Sequence, residues 1–292
     1  MKNRLVRYLL AAALTLSSSC AWAQAATDIY LLDLAALDQS KTVILRITDV
    51  PGYDNQPHYS ADGNTIYFTR ISSGRANVMA YDIATASTRV ILADLESDYS
   101  PTLMPRVNAL SVIRVEADQR QRLWKIPLDG SPAQVIFENI EGVGYHAWAG
   151  PRIALMFILG EPPTLKLAGP AGIALPIAQN IGRAVVAIAG STEVAYVSKD
   201  TANQRWTINA YDYAIDRNRI IAPTLVGQED FAISPNGTLW MAEGSVLYRW
   251  SSERPAWAPL IDLSTIPTGT ISRMTLSPDG QQLALVAEEL EQ

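Results

Sequence analysis

Asp54, Asp98, Glu229 and Asp230 each stand just ahead of an apolar, strand-like segment. The only two histidines of the chain, His58 and His146, stand just inside segments of the same kind. Tyr145 precedes His146, and Tyr53, Tyr59, Tyr99, Trp148 and Phe231 fall in the same band. Carboxylates and aromatics on loops held by a rigid scaffold suit a cation, a sugar or a basic peptide. Asp54, Asp98 and Asp230 also offer the oxygen donors that a hard divalent cation takes. Two histidines leave little room for an imidazole metal centre. Gly190-Ser191-Thr192 lacks the G-x-S-x-G frame and falls at an expected hairpin turn, so it is no nucleophile elbow. Taken singly, an Asp before a strand is an ordinary turn residue that bonds its own backbone. The case for a site rests on these residues recurring at equivalent places.

Those places are set by a repeat. Its clearest copy runs Pro57-His58-Tyr59-Ser60-Ala61-Asp62-Gly63-Asn64-Thr65-Ile66-Tyr67-Phe68, then Val78–Ile83, then Thr88–Leu92. That reads as four short strands broken at Gly, Asp and Asn. The end of the first strand recurs at Ser60, Met104, Ala149, Ala189, Ser234 and Ser277, in steps of 44, 45, 40, 45 and 43 residues. Ser234-Pro235-Asn236-Gly237 and Ser277-Pro278-Asp279-Gly280 repeat the Ser60 turn, whose Asx-Gly pair supplies the positive φ of a tight hairpin. A four-strand period of this length predicts an all-β fold of propeller blades. A sandwich has no reason to repeat one turn at that period.

The sixth unit stops at Gln292 after two strands, and the missing pair lies at the other end of the chain. Asp28–Asp33 matches the third-strand pattern down to its terminal Asp, shared with Asp82 and Asp212, and Lys41–Ile47 matches the fourth strand. An N-terminal hairpin completing the last blade gives a six-bladed propeller without an open edge. Pro162-Pro163 and Gly169-Pro170 mark the third blade as the loosely stranded one.

Pro57-x-Tyr59-Ser60-x-Asp62-Gly63-x-x-Ile66-Tyr67-Phe68, followed by Tyr81-Asp82-Ile83, resembles the WD-type repeat of the TolB family. Ser277-Pro278-Asp279-Gly280 with Leu283-Ala284-Leu285 fits the same pattern. The resemblance implies a six-bladed propeller and brings no catalytic residues. TolB itself carries a further α/β domain ahead of the propeller, whereas the strands here begin close to the N-terminus.

Residues 1–23 read as an export signal: Lys2, Arg4 and Arg7, an apolar run from Tyr8 to Leu16, and Ala21-Trp22-Ala23 before Gln24. The run is too short for a permanent membrane span. Lipidation at Cys20 is disfavoured because Ser17-Ser18-Ser19 replace the usual aliphatic residue. Cleavage leaves residues 24–292 as one domain, periplasmic or secreted, with 20 basic against 29 acidic residues and no cysteine. A net charge of −9 disfavours nucleic acid and anionic membrane as partners. The expectation is a monomeric, non-enzymatic propeller with no cofactor or metal. It would bind a protein or peptide, of basic character, through an acidic channel mouth. That mouth is assigned to Asp54, His58, Asp98, Tyr145, His146, Glu229 and Asp230. The alternative is a metal-dependent hydrolase or lactonase using Asp54, Asp98 and Asp230.

Overall fold

The computed structural model describes residues 25–39, 41–200, 202–203, 205–264 and 269–289. The expected signal segment and Cys20 lie outside them. The described residues open with β1 (Thr27–Asp33), a short helix α1 (Leu34–Asp38) and β2 (Ile44–Arg46). Blade 1 follows as β3 (Asp54–Tyr59), β4 (Thr65–Ser72), β5 (Arg75–Asp82) and β6 (Ser87–Leu92). Blade 2 is β7 (Ser97–Leu103), β8 (Ala109–Val115), β9 (Gln121–Pro127) and β10 (Gln134–Val135). Blade 3 is β11 (Val143–Gly150), β12 (Ile153–Ile158), β13 (Thr164–Ala168) and β14 (Ala174–Gln179). Blade 4 is β15 (Ile181–Ala187), β16 (Glu193–Asp200), β17 (Arg205–Asp212) and β18 (Arg217–Pro223). Blade 5 is β19 (Ala232–Ile233), β20 (Leu239–Glu243), β21 (Val246–Ser251) and β22 (Arg254–Asp262). Blade 6 begins with β23 (Ile271–Leu276) and β24 (Gln282–Glu288).

Each blade is one four-stranded antiparallel sheet, and the sixth has the order β23-β24-β1-β2. The expected closure is present: β1 pairs with β24 over seven residues, from Thr27 opposite Glu288 to Asp33 opposite Gln282. The fold is a six-bladed β-propeller.

The three motif turns are built alike. Ser60, Ser234 and Ser277 each donate to the carboxylate or amide oxygen two residues on, at 2.6 Å. That oxygen accepts the N–H two residues further, at 3.0–3.1 Å. The glycine between sits at φ 75, 83 and 71° in Gly63, Gly237 and Gly280, a conformation that costs an L side chain strain. The third-strand aspartates act one turn later: Asp82 accepts the Thr85 N–H at 2.8 Å, and Asp33 accepts the Ala36 N–H at 2.9 Å, starting α1.

Side chains alternate between the two faces of each sheet, and both faces are buried. Ile29 and Leu31 pack toward blade 1 with Tyr59, Ile66 and Phe68. Tyr30 and Leu32 pack toward blade 5 with Trp240 and Leu247. Each of the six blade interfaces holds one such apolar cluster. One expectation is corrected. Blade 3 has four full strands, because Pro162-Pro163 and Gly169-Pro170 fall in the connections on either side of β13, and Pro176 lies on the outermost strand at a register shift, where a missing N–H costs little. The two-residue strands lie elsewhere, as the inner strand of blade 5 and the outer strand of blade 2.

Candidate functional site

The innermost strands β3, β7, β11, β15, β19 and β23 surround a central channel holding a cavity of about 380 Å3. Near their starts, β3, β7, β11, β15 and β23 break register with the second strand. Such bulges bend a strand and re-aim its side chains. In blades 1 and 2 the bulge is a left-handed residue followed by proline, Gln56-Pro57 and Ser100-Pro101. Gln56 is buried and ties the two blades together: its Oε1 accepts from Thr69 Oγ1 and from the Ser100 N–H, both at 2.8 Å.

Of the residues singled out from sequence, His58, Tyr145, His146 and Asp230 line this cavity. Glu229 lines a smaller neighbouring cavity of about 190 Å3 with Gln228 and Thr270. Asp54 and Asp98 line neither; each is 1% exposed. Asp54 receives two hydrogen bonds of 2.7 Å from Arg70. Asp98 receives two of 2.9 Å from Arg114, which also reaches Asp94 at 2.7 Å. Burial pushes both carboxyls above their ordinary range, against the pull of their arginines. Asp230 is held by Arg183, and Glu229 by Lys199 at 2.5 Å. The bare ring of acids expected from sequence is therefore corrected: every one of these carboxylates has a cation beside it.

Those cations were missed, although a signal existed. Asp54 and Arg70 are cross-strand neighbours in β3 and β4, as are Asp98 and Arg114 in β7 and β8. Both pairs are 16 residues apart and straddle the hairpin turn. Arg183 and Arg273 carried no comparable pattern.

The histidines sit deeper. Burial pulls His58 down to about 4, although its side chain keeps some surface toward the lumen. Burial first, and His58 second, pull His146 down to about 3. His146 Nε2 lies 2.6 Å from Ser111 Oγ, which accepts from Trp148 Nε1 at 2.8 Å. With Ser111 itself at 0% exposure, this is a packing network rather than a nucleophile. At the mouth, burial pushes the Tyr53 hydroxyl up to about 12, with Tyr145, Tyr99, Arg183 and Arg273 close enough to act on it. Below them the wall turns apolar, with Val185, Ala187, Phe231, Ile233, Met274 and Leu276.

These features define the class: a six-bladed propeller whose lined central channel opens among aromatic and guanidinium groups. Its fold is TolB-like. A putative TolB from Agrobacterium tumefaciens superposes with a TM-score of 0.71 at 11% identity, over 92% of this chain and all of that one. A propeller in a nidogen/laminin complex gives 0.63 at 13% identity, over 85% of this chain and 97% of that one. Oligogalacturonate lyase from Vibrio parahaemolyticus gives 0.59 at 13% identity, over 84% and 80%. No family model matches the sequence, and no curated protein does. Among the described residues no helix is long and apolar enough to cross a membrane, and no group of three His, Cys, Asp or Glu is placed to hold a metal ion.

Proposed function

We propose that this is an exported, non-enzymatic propeller that holds a segment of a protein partner in the mouth of its channel, in the periplasm or outside the cell. The observation that carries the reading is the cavity itself: a concave site of peptide side-chain size, with Tyr145, Arg183 and Asp230 at its polar end, and with His58, His146 and an apolar wall deeper in. Leu95 and Val226, the most exposed large apolar residues described, sit on loops leading into blades 2 and 5, where a docked partner would cover them. The nidogen/laminin neighbour, a propeller seen in a protein complex, supports the same class of role by fold alone. Asp54, Asp98, Glu229 and Asp230 serve to brace the mouth through their cations.

The metal-dependent hydrolase is the weaker reading. Asp54, Asp98 and Asp230 each already bind a guanidinium, so none offers a free oxygen pair to a divalent ion. The lyase neighbour shares the fold, which does not carry its chemistry across.

The test narrows the channel. Ala187 lines the lumen and is exposed there, so Ala187→Trp fills space without disturbing a packed core. A partner co-purified from the source cells should be retained by the unsubstituted protein and by Ile220→Glu, on the outer edge of blade 4, and lost with Ala187→Trp. Equal capture by all three would overturn the channel as the binding site.

A further inference from the structure

Among the described residues, three groups of formal charge line the main cavity: Arg183, Asp230 and Arg273. Arg183 and Asp230 neutralise each other, which leaves Arg273. Arg273 lies just past the bulge in β23, and its guanidinium reaches across the channel to blade 3, the blade opposite. There it stacks over the Tyr145 ring, 5.0 Å from the centroid, and Nη2 donates to Tyr145 Oη at 3.5 Å, the limit of a hydrogen bond. Among the described residues it has no carboxylate within ion-pair distance, and its buried Nε has no acceptor. The other buried or half-buried arginines described, Arg70, Arg114, Arg120, Arg122 and Arg183, all have carboxylate partners, which makes Arg273 the exception among them.

A half-buried guanidinium whose buried Nε has no acceptor and which lacks a counter-charge weakens the fold that holds it. Its planar fork matches a carboxylate in two parallel hydrogen bonds. We infer that Arg273 is an anion-recognition group that captures a carboxylate from an acidic peptide segment entering the channel beside Tyr145. This rests on the proposed channel-binding role and reverses the charge expected of the partner from sequence. A peptide is favoured over a sugar acid by the rest of the wall. Each inner strand is the free edge of its sheet and presents unpaired backbone N–H and C=O groups to the lumen. The half-buried Val185, Ile233 and Leu276 would receive apolar side chains but would leave sugar hydroxyls unpaired.

The test is panning of a randomised, displayed heptapeptide library against the mature protein and against Arg273→Gln and Arg273→Lys. The selected peptides should share an Asp or Glu at one position. The best of them, made synthetically, should lose about tenfold or more in affinity against Arg273→Gln, with part regained by Arg273→Lys. Replacing its acid by the amide should cost a similar factor, and added salt should weaken binding. The Arg273→Gln protein should melt no lower than the parent, since an uncompensated charge has been removed. A selected consensus that is basic or neutral overturns the inference while leaving channel binding intact. Failure to select any consensus overturns both. An acidic consensus bound equally by Arg273→Gln places the anion elsewhere and also overturns it.

Discussion

Removing residues 25–47 should abolish cooperative folding, because this segment supplies half of blade 6. It takes away β1, which pairs with β24 along seven residues, and β2 beyond it. Ile29, Tyr30, Leu31, Leu32 and Leu34 are all buried, at 0–6% exposure, and divide between the interfaces with blades 1 and 5. At about 1.5–3 kcal/mol for each buried apolar side chain, their loss comes to roughly 8–15 kcal/mol. That is as large as the whole stability of an ordinary domain, about 5–15 kcal/mol. The loss also turns β24 into an exposed edge that pairs with other chains. A graded version is Leu32→Ala, at a fully buried site, expected to cost about 2–5 kcal/mol. The assay is thermal unfolding by circular dichroism with a solubility measurement, repeated with the 25–47 peptide added in trans. We expect the truncated chain to aggregate and the peptide to restore part of the transition. A truncated chain that stays soluble and melts as sharply as the parent would refute the split-blade closure.

Asp98→Asn should destabilise by about 3–5 kcal/mol in denaturant titration, because it strands the buried Arg114 with only the half-exposed Asp94. The double substitution Asp98→Asn/Arg114→Met should recover most of that loss, and no recovery would mean that the pair itself stabilises the mouth. Stability should also fall on acidification. The unfolded chain titrates its histidines near the ordinary value of about 6.5, whereas the folded one holds His58 at about 4 and His146 at about 3. The unfolded state therefore binds more protons in between, so the contribution is complete above about pH 6.5 and is lost as pH falls toward those values. The raised carboxyls of Asp54 and Asp98 act in the opposite sense nearer their own range. Hence His58→Gln, which removes one titrating group, should shrink the difference in melting temperature between neutral and mildly acid buffer. An unchanged difference would count against lumenal burial of His58.

The blade count and the closure were legible because both are local patterns. Ile66–Phe68 and Leu283–Val286 are apolar runs, and Leu110–Ile113 one interrupted only by Ser111, all buried on both faces, and the Ser-x-Asx-Gly turns mark where the first strands end. Asp33 was rightly matched to Asp82 and Asp212, since all three accept a backbone N–H just beyond the third strand. The five-residue α1 was not foreseen, being too short to show a helical period. Phe137 lies just past the two-residue outer strand of blade 2 and packs at the interface with blade 3. The site was legible only in part. Sequence located the band of acids and aromatics, but charge compensation depends on which strand residues face one another. Arg70 and Arg114 reach their acids through register across a hairpin, and Arg273 meets Tyr145 only because blades 3 and 6 oppose each other around the ring.

The channel as a protein-binding site is tested most directly by a photoreactive phenylalanine derivative placed at Tyr145, at the mouth, and separately at Ile220, on the outer edge. Irradiation in the source cells should give a protein adduct from position 145, reduced when Ala187→Trp is added, and none from position 220. Adducts from position 220 alone, or an adduct at 145 that is indifferent to Ala187→Trp, would contradict the account.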